Sequence, residues 1–452
     1  MDDKWCIMKA ELTEGSIGKA LLKFFFPIMF GTFFQQLYNT VDAIVVGRFV
    51  GSDALAAVGG SAGMIVNLIV GFFVGLTAGA SVIVSQFFGS GDREKVSKSM
   101  HTIYAFSIIG SLVISVVGYF LAPALLKLMS TPEDIYADSL LYLRVFLIGI
   151  VFMFIYNTGS ALLRAIGDSK RPLIYLIVCC IINIALDVLF VAVFQMGVLG
   201  AALATLISLA ISSVLVTRAL VNSKELCDFS IKEIRIDGAT LKRQIYIGFP
   251  GGIQSSMYSL SNMILQVAVN KIGTDAAAAW TALGKMDALY WMVGGSLGTA
   301  LITVVGQNYG AGKMDRVRKS VNIGLGLYYV FSIVIVTVLM AFQRPLFTIF
   351  TDNQAVIDIA ISAFSIMAPF YVLFSFIEIY SSALRGIGDV VIPMIMTMTG
   401  VCGFRVLWSI FVVPMNPSME LISWSYPISW ALTAVCFIVY YRYKIKKLCK
   451  DA

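Results

Sequence analysis

Charge is scarce in this sequence: Asp, Glu, Lys and Arg together make up 13 % of 452 residues, against about 25 % in an ordinary soluble chain. That shortage excludes a water-soluble globular protein. Histidine occurs once, at His101, so no paired-His metalloprotease signature can be built, and there is no phosphate-cradling P-loop. Zinc chemistry and ATP hydrolysis are set aside, and no enzyme activity, resident metal or cofactor is expected. The cysteines, Cys6, Cys179, Cys180, Cys227, Cys402, Cys436 and Cys449, are odd in number and scattered. Neither a disulfide framework nor a zinc spacing follows. The stretch Met1 to Glu14 carries Asp2, Asp3, Glu11 and Glu14 without a compact apolar run ending in small residues, so no cleaved signal is expected.

What is abundant is apolar length. Hydrophobic residues account for 59 % of the chain, and the mean hydropathy is +0.87. A helix that crosses a bilayer needs about 20 mostly apolar residues. Runs bounded by charge or by Gly and Pro place twelve such helices near 17–47, 56–88, 97–127, 139–166, 172–194, 197–220, 244–270, 277–308, 319–343, 354–385, 391–414 and 422–441. Several exceed the minimum, which implies tilt or projection beyond the bilayer. One long polar stretch, Asn222 to Arg243, reads as a linker and divides the chain into 1–221, 222–243 and 244–452.

The net charge of +7 would suggest a nucleic-acid partner in a soluble protein; here it reads as basic cytoplasmic loops. With twelve spans, 26 of the 33 Lys and Arg fall on one side, among them Lys4, Lys9, Lys19, Lys23 and the cluster from Arg442 to Lys450. By the positive-inside rule both termini are cytoplasmic, in a cell membrane. His101 then lies near the cytoplasmic end of the third run, at the interface.

The chain also repeats itself. Gln86 to Ser99 (QFFGSGDREKVSKS) returns as Gln307 to Ser320 (QNYGAGKMDRVRKS), and Leu163 to Asp168 (LRAIGD) returns as Leu384 to Asp389 (LRGIGD), both at an offset of 221. Pro172 and Pro393 share that offset, while Phe26-Pro27 and Phe249-Pro250 are offset by 223. Six spans per half return the chain to the same side, so the halves are parallel repeats about an axis along the membrane normal, a transporter architecture. The Gly-Asp and Gly-x-Gly loops themselves read as helix caps and tight turns.

Pro27, the stretch Gln35 to Asp42 (QQLYNTVD), the loop Gly51 to Ala57 (GSDALAA), the Gln86 to Gly91 turn, Leu163 to Asp168 and Asn183 to Asp187 (NIALD) together resemble the multidrug and toxic compound extrusion (MATE) family of cation-coupled antiporters. The similarity runs from about residue 15 to 440. It implies an all-α membrane protein in which two six-helix lobes form a V around a central cavity. The activity implied is export of amphiphilic, often cationic compounds in exchange for protons or sodium.

Four acids fall inside or near the ends of apolar runs: Asp42, Asp187, Asp287 and Glu378. A charge at mid-bilayer costs about 2.5–3.5 kcal/mol even on the lenient insertion scale, which makes such residues functional candidates by default. Desolvation favours the neutral form of a carboxyl, the property of a proton carrier. Gln35, Tyr38, Asn39 and Asp42 share one helical face, and Pro27 earlier in that helix removes a backbone hydrogen bond and can bend it. Asn183 and Asp187 share a face of the fifth run, and Thr205 adds a hydroxyl from the sixth. Asp42, Tyr38, Asn183, Asp187 and Thr205 coincide with the positions at which the resembled family holds its N-lobe cation site. Protons are the expected coupling ion. Sodium at Asp42, Asn183, Asp187 and Thr205 is the alternative, since all four offer oxygen.

The repeat register matches Asp42 with Leu265 and Asp187 with Trp408, so cation coupling is expected in the N-lobe. Asn157 corresponds to Glu378. Glu378 is a contact for a cationic substrate, a proton relay, or the partner of Arg385 two turns away. Asp287 pairs with Lys285 at the interface or meets the drug. Arg405 neutralises an acid or meets a phosphate headgroup. Ser255, Ser259, Asn262 and Gln266 form a polar stripe on the seventh helix, and with Met257, Tyr258, Met263, Met286, Tyr290, Trp291, Met367, Tyr371 and Phe374 they make a deformable, cation-attracting surface. The cavity set is therefore Gln35, Asn39, Asn157, Met257, Tyr258, Asn262, Gln266, Asp287, Tyr290, Trp291 and Glu378. The expected partners are amphiphilic or cationic small molecules and the bilayer, with a monomer as the working unit. A flippase for lipid-linked saccharides is the rival function; a channel or receptor has no pore or signalling motif to support it.

Overall fold

The computed structural model describes residues 12–223 and 228–451. Cys6, Cys227, Lys4, Lys9, Lys224 and the stretch Met1 to Glu11 lie outside the described residues. Among the described residues there is no strand. Twelve membrane-length helical segments follow one another: α1 Ile17–Phe49, α2 Ser52–Ser90, α3 Arg93–Leu128, α4 Glu133–Ala165, α5 Lys170–Val193, α6 Gly197–Val221, α7 Gly238–Ile272, α8 Thr274–Gly310, α9 Met314–Ala341, α10 Gln354–Gly386, α11 Val391–Met415 and α12 Met419–Lys450. Eleven are apolar enough to cross a membrane by composition alone. The other, α7, is 35 residues long, and its polar stripe from Ser255 to Gln266 dilutes its hydropathy.

Local chemistry sets the ends. Asp92 accepts a hydrogen bond from the Lys95 amide at 3.0 Å and caps α3. Asp237 accepts from the Thr240 amide and hydroxyl at 2.9 and 2.6 Å, so α7 starts at Gly238 and the last six residues read as linker are helix. The basic pair Lys242-Arg243 masked that N-cap signal. A short helix, Ser52–Gly59, precedes the break at Gly60 in α2, where the sequence reads as loop.

Several segments depart from uniform α geometry. Pro369 tightens α10 into a single 3₁₀ turn, Ala368–Phe370. α5 widens into a π-helical turn, Val188–Val193, immediately after Asp187, and α11 does so at Met398–Gly403 and Trp408–Val412. Apolar periodicity does not distinguish a π turn from an α turn over so few residues.

The repeat is written into the backbone. Gly91 and Gly312 have φ of 85° and 71°, and Gly167 and Gly388 have 99° and 90°, the left-handed region open to residues without a Cβ. The Asp168 and Asp389 amides each donate to the carbonyl five residues back, Leu163 and Leu384, at 2.9 Å. These are the C-terminal closures of α4 and α10.

The chain forms two compact units: Phe26–Gly252, and Gly15–Phe25 with the chain from Ile253 onward. The division passes through α1 and α7 beside Pro27 and Pro250. In the first unit, Phe73 and Phe154 stack with centroids 3.8 Å apart amid Leu76, Leu126, Leu147 and Ile150. A second cluster near the loop ends contains Phe88, Met100, Tyr104, Leu163 and Leu220. Phe229 from the linker is fully buried in it. His101 is 4 % exposed: its ring stacks on Phe229 at 4.8 Å and its Nε2 lies 3.0 Å from the Ser230 amide. The expected interfacial histidine is thus a buried one, because the linker folds over it. In the second unit, Tyr290, Tyr328, Tyr371 and Trp430 are enclosed between α8, α9, α10 and α12. Large apolar side chains face outward along the helices, Val113, Val116 and Phe120 among them, as a lipid-facing surface requires.

Candidate functional site

The candidate site lies within the first unit, where α1, α4, α5 and α6 supply its side chains. On α1, Gln35, Tyr38 and Asp42 are half-buried and Asn39 is exposed. On α5, Asn183 and Asp187 are 1 % and 0 % exposed, one turn apart on the face packed against α6. The Asn183 amide donates to the Thr205 hydroxyl at 3.5 Å. Asp42 and Asp187 interact electrostatically, and Tyr38 interacts with Asp42. All five predicted coupling residues therefore belong to one neighbourhood.

Unmatched buried polar atoms occur elsewhere among the described residues, but unmatched buried carboxyl oxygens occur only here. Oδ1 of Asp42, both carboxyl oxygens of Asp187 and Oδ1 of Asn183 are buried with no hydrogen-bond donor. None of these acids has a Lys or Arg partner among the described ion pairs. Native proteins rarely leave buried acceptors unmatched, and an unpaired buried carboxylate is costlier still. The arrangement presents several oxygens to a proton or a small hard cation treated as cargo. Among the described residues, no three of His, Cys, Asp and Glu gather into a metal cluster.

Tyr142 on α4 is a member of this neighbourhood that the sequence did not reveal. It interacts electrostatically with both Asp42 and Asp187 and packs against the apolar cluster of Val45, Val46, Val191 and Ala201. Nothing periodic in the run 139–166 singles it out.

The sequence profile of the MatE family matches residues 27–189 and again 250–411. The chain belongs to the MATE family. Its members are membrane transporters, not enzymes as a class. This MATE chain is 28 % identical over 444 residues, 96 % of each chain, to the "probable multidrug resistance protein YoeA" of Bacillus subtilis (strain 168). It is 32 % identical over 312 residues, 69 % of each chain, to the "probable multidrug resistance protein YpnP" of the same organism. The fold is that of the crystal structure of MATE in the bent conformation, with a TM-score of 0.92 at 22 % identity over 100 % of this chain and 99 % of that one.

The second MATE unit carries no equivalent of the paired acids. Leu265, matched to Asp42, is fully buried, and Trp408, matched to Asp187, donates from its indole to the Leu421 carbonyl at 2.9 Å. Glu378 resolves toward one of its three readings: its Oε1 is 3.9 Å from Arg385 Nη2 and accepts from the Ser382 hydroxyl at 3.4 Å. It also faces Gly298, where any Cβ would strike it.

Three expectations need correction. Asp287 is not an interfacial partner of Lys285. It is 7 % exposed and accepts a short hydrogen bond from the Tyr371 phenol, because it stands thirteen residues into α8 while Lys285 points outward. Tyr290 lines no open surface. At 1 % exposure it donates to the Tyr371 carbonyl at 2.8 Å and is core packing. Arg405 pairs with no acid among the described residues; it is 5 % exposed, stacks 3.7 Å over the Tyr426 ring and donates to Ser429 Oγ at 3.2 Å.

The remaining cavity candidates stay accessible. Met257, Tyr258, Gln266, Trp291 and, in the first unit, Asn157 are half-buried, and Asn262 is exposed. The α7 stripe extends one turn further than expected, since Gln266 donates to Asn270 Oδ1 at 2.8 Å.

Proposed function

We infer that this MATE transporter exports amphiphilic, often cationic small molecules across the cell membrane in exchange for protons, by alternating access, as a monomer with both termini in the cytoplasm. The unmatched buried oxygens of Asp42 and Asp187 carry the reading. A carboxyl in that setting is stabilised by a proton and destabilised when the proton leaves, so its occupancy can favour one conformation over another. The names of the relatives as multidrug resistance proteins support the substrate class.

The energetics are adequate. Concentrating a neutral compound a hundredfold costs about 2.7 kcal/mol. One proton supplies about 2.3 kcal/mol per 100 mV and about 1.4 per pH unit. Exchange of one proton for a monovalent cation moves no net charge and keeps only the pH contribution, so two acids that each carry a proton serve a cationic substrate better. Sodium is the second reading, favoured by the unmatched Asn183 Oδ1 beside the carboxyls.

Inside-out vesicles held at fixed membrane potential, with the pH and sodium gradients imposed separately, test this. Accumulation of a fluorescent organic cation should follow the pH gradient. Accumulation driven by sodium alone would overturn proton coupling. Absence of any cation transport, together with a cell-envelope defect on deletion, would favour lipid-linked saccharide flipping.

A further inference from the structure

Where α9 begins and α12 ends, within the second unit, six side chains line an open pocket of about 240 Å³: Arg318, Asn322, Tyr441, Arg442, Ile445 and Lys446. The sequence builds it from residues four apart, Arg318 with Asn322 on α9, and Tyr441 with Ile445 and Arg442 with Lys446 on α12. Each such pair shares a helix face. The floor is fixed, because Tyr441 is 8 % exposed and stacks on Tyr380 of α10 with centroids 4.6 Å apart. The rim is open: Arg318, Arg442 and Lys446 are exposed.

No carboxylate lines the cavity, and among the described residues these three cations have no acidic partner. Asp389, the acid held by the neighbouring face of α12, is taken by Lys444 at 2.8 Å and by the Tyr440 phenol at 2.6 Å. Three like charges around one small cavity repel one another, and an anion in their midst removes that cost. The donors suit phosphate: two guanidinium forks, one ammonium, an amide and a phenol.

The position of the pocket along α12 bears on what kind of phosphate would reach it. The apolar run of α12 ends here, with Val435 and Val439 facing outward just before it and Tyr443 exposed beside it. Tyr443, exposed on the outer face, is the kind of residue favoured at a bilayer–water boundary. Basic pockets between spanning helices at that level are suited to anionic headgroups. We propose that this cavity binds the phosphodiester headgroup of an anionic phospholipid. The assignment does not depend on which ion drives transport or on Asp42 and Asp187.

Purified protein given equal amounts of phosphatidylglycerol and phosphatidylcholine, with retained lipid read by native mass spectrometry, provides the test. The wild type should retain phosphatidylglycerol in preference. Arg318→Gln and Arg442→Gln should each weaken that retention about fivefold, and Lys444→Gln should leave it unchanged. Glycerol phosphate and inorganic phosphate are the soluble arm and should displace the lipid poorly. Displacement as effective as that by phosphatidylglycerol itself would make this a site for free phosphate and overturn the lipid assignment. Unchanged lipid retention in the double glutamine variant would also overturn it. Should the glutamine variants fail to fold, Arg318→Lys with Arg442→Lys keeps the charges while removing the forks and should retain less phosphatidylglycerol than the wild type; equal retention would overturn the site. In the wild type, retention should fall as salt rises from about 50 to about 500 mM, and indifference to salt would count against the site.

Discussion

Both carboxyl oxygens of Asp187 are buried without a donor, while Asn183 one turn earlier spends its amide on Thr205. That choice leaves the acid without a donor from the described chain. Asp187→Asn and Asp42→Asn should each reduce coupled export to background, at least tenfold below wild type, with the protein still folded by size-exclusion profile and thermal melt. Full retained export by either variant would remove that acid from the mechanism. Glu378 differs, since Arg385 and Ser382 already engage it. The residue types at Asp42, Asn183 and Asp187 were legible because charge and amide are conspicuous in an apolar run. The phenol of Tyr142 was not, because Tyr is common at helix surfaces and only the approach of α4 to α1 and α5 gives it a role.

At the scale of the element, α2 and α7 meet backbone to backbone. A Cβ at Gly79 would strike the backbone of Gly248, and one at Gly75 that of Gly251, so no larger residue fits between these helices without moving one. Gly79→Ala should destabilise the protein by about 1–3 kcal/mol, the usual cost of overpacking. Gly284→Ala, with nothing within 4 Å of the added carbon, should stabilise α8 by about 0.5–1 kcal/mol. Thermal melts in one detergent compare the two.

The start of α7 responds to pH in a way that can be derived. Hydrogen bonds from the Thr240 side chain and amide, and from Lys98, hold the Asp237 carboxyl down to about 2, with the Lys98 ammonium 3.0 Å away. A group depressed in the folded state stabilises it above the ordinary carboxylate value, and that contribution is lost as pH falls through about 2. Asp237→Asn should therefore lower the melting temperature at pH 5 to 7, and the gap from wild type should close toward pH 2. A gap independent of pH would show that the cap acts without its charge. The capping motif was readable from the sequence in principle, but the linker's basic residues drew the boundary six residues too late.

Across the whole molecule, the duplicated loops and the doubled family match, residues 27–189 and 250–411, describe one six-helix plan used twice and then specialised. The proposed orientation puts Cys449, half-buried near the end of α12, on the cytoplasmic side. In a variant whose other six cysteines are replaced by alanine, a membrane-impermeant maleimide should label inside-out vesicles and leave intact cells unlabelled. The reverse pattern would invert the topology.

The sequence alone determined the membrane class, the twelve spans, the repeat and the position of the paired acids. Hydropathy, charge placement and a constant offset act along the chain and need no partner in space. It also determined that the second half lacks those acids. Only the tertiary structure decided which polar atoms go unmatched, that Asp287 meets Tyr371, that Arg405 lies over Tyr426 and that the linker buries His101 beneath Phe229. Those outcomes depend on which helix faces pack together, and packing joins residues whose separation in sequence carries no period to read.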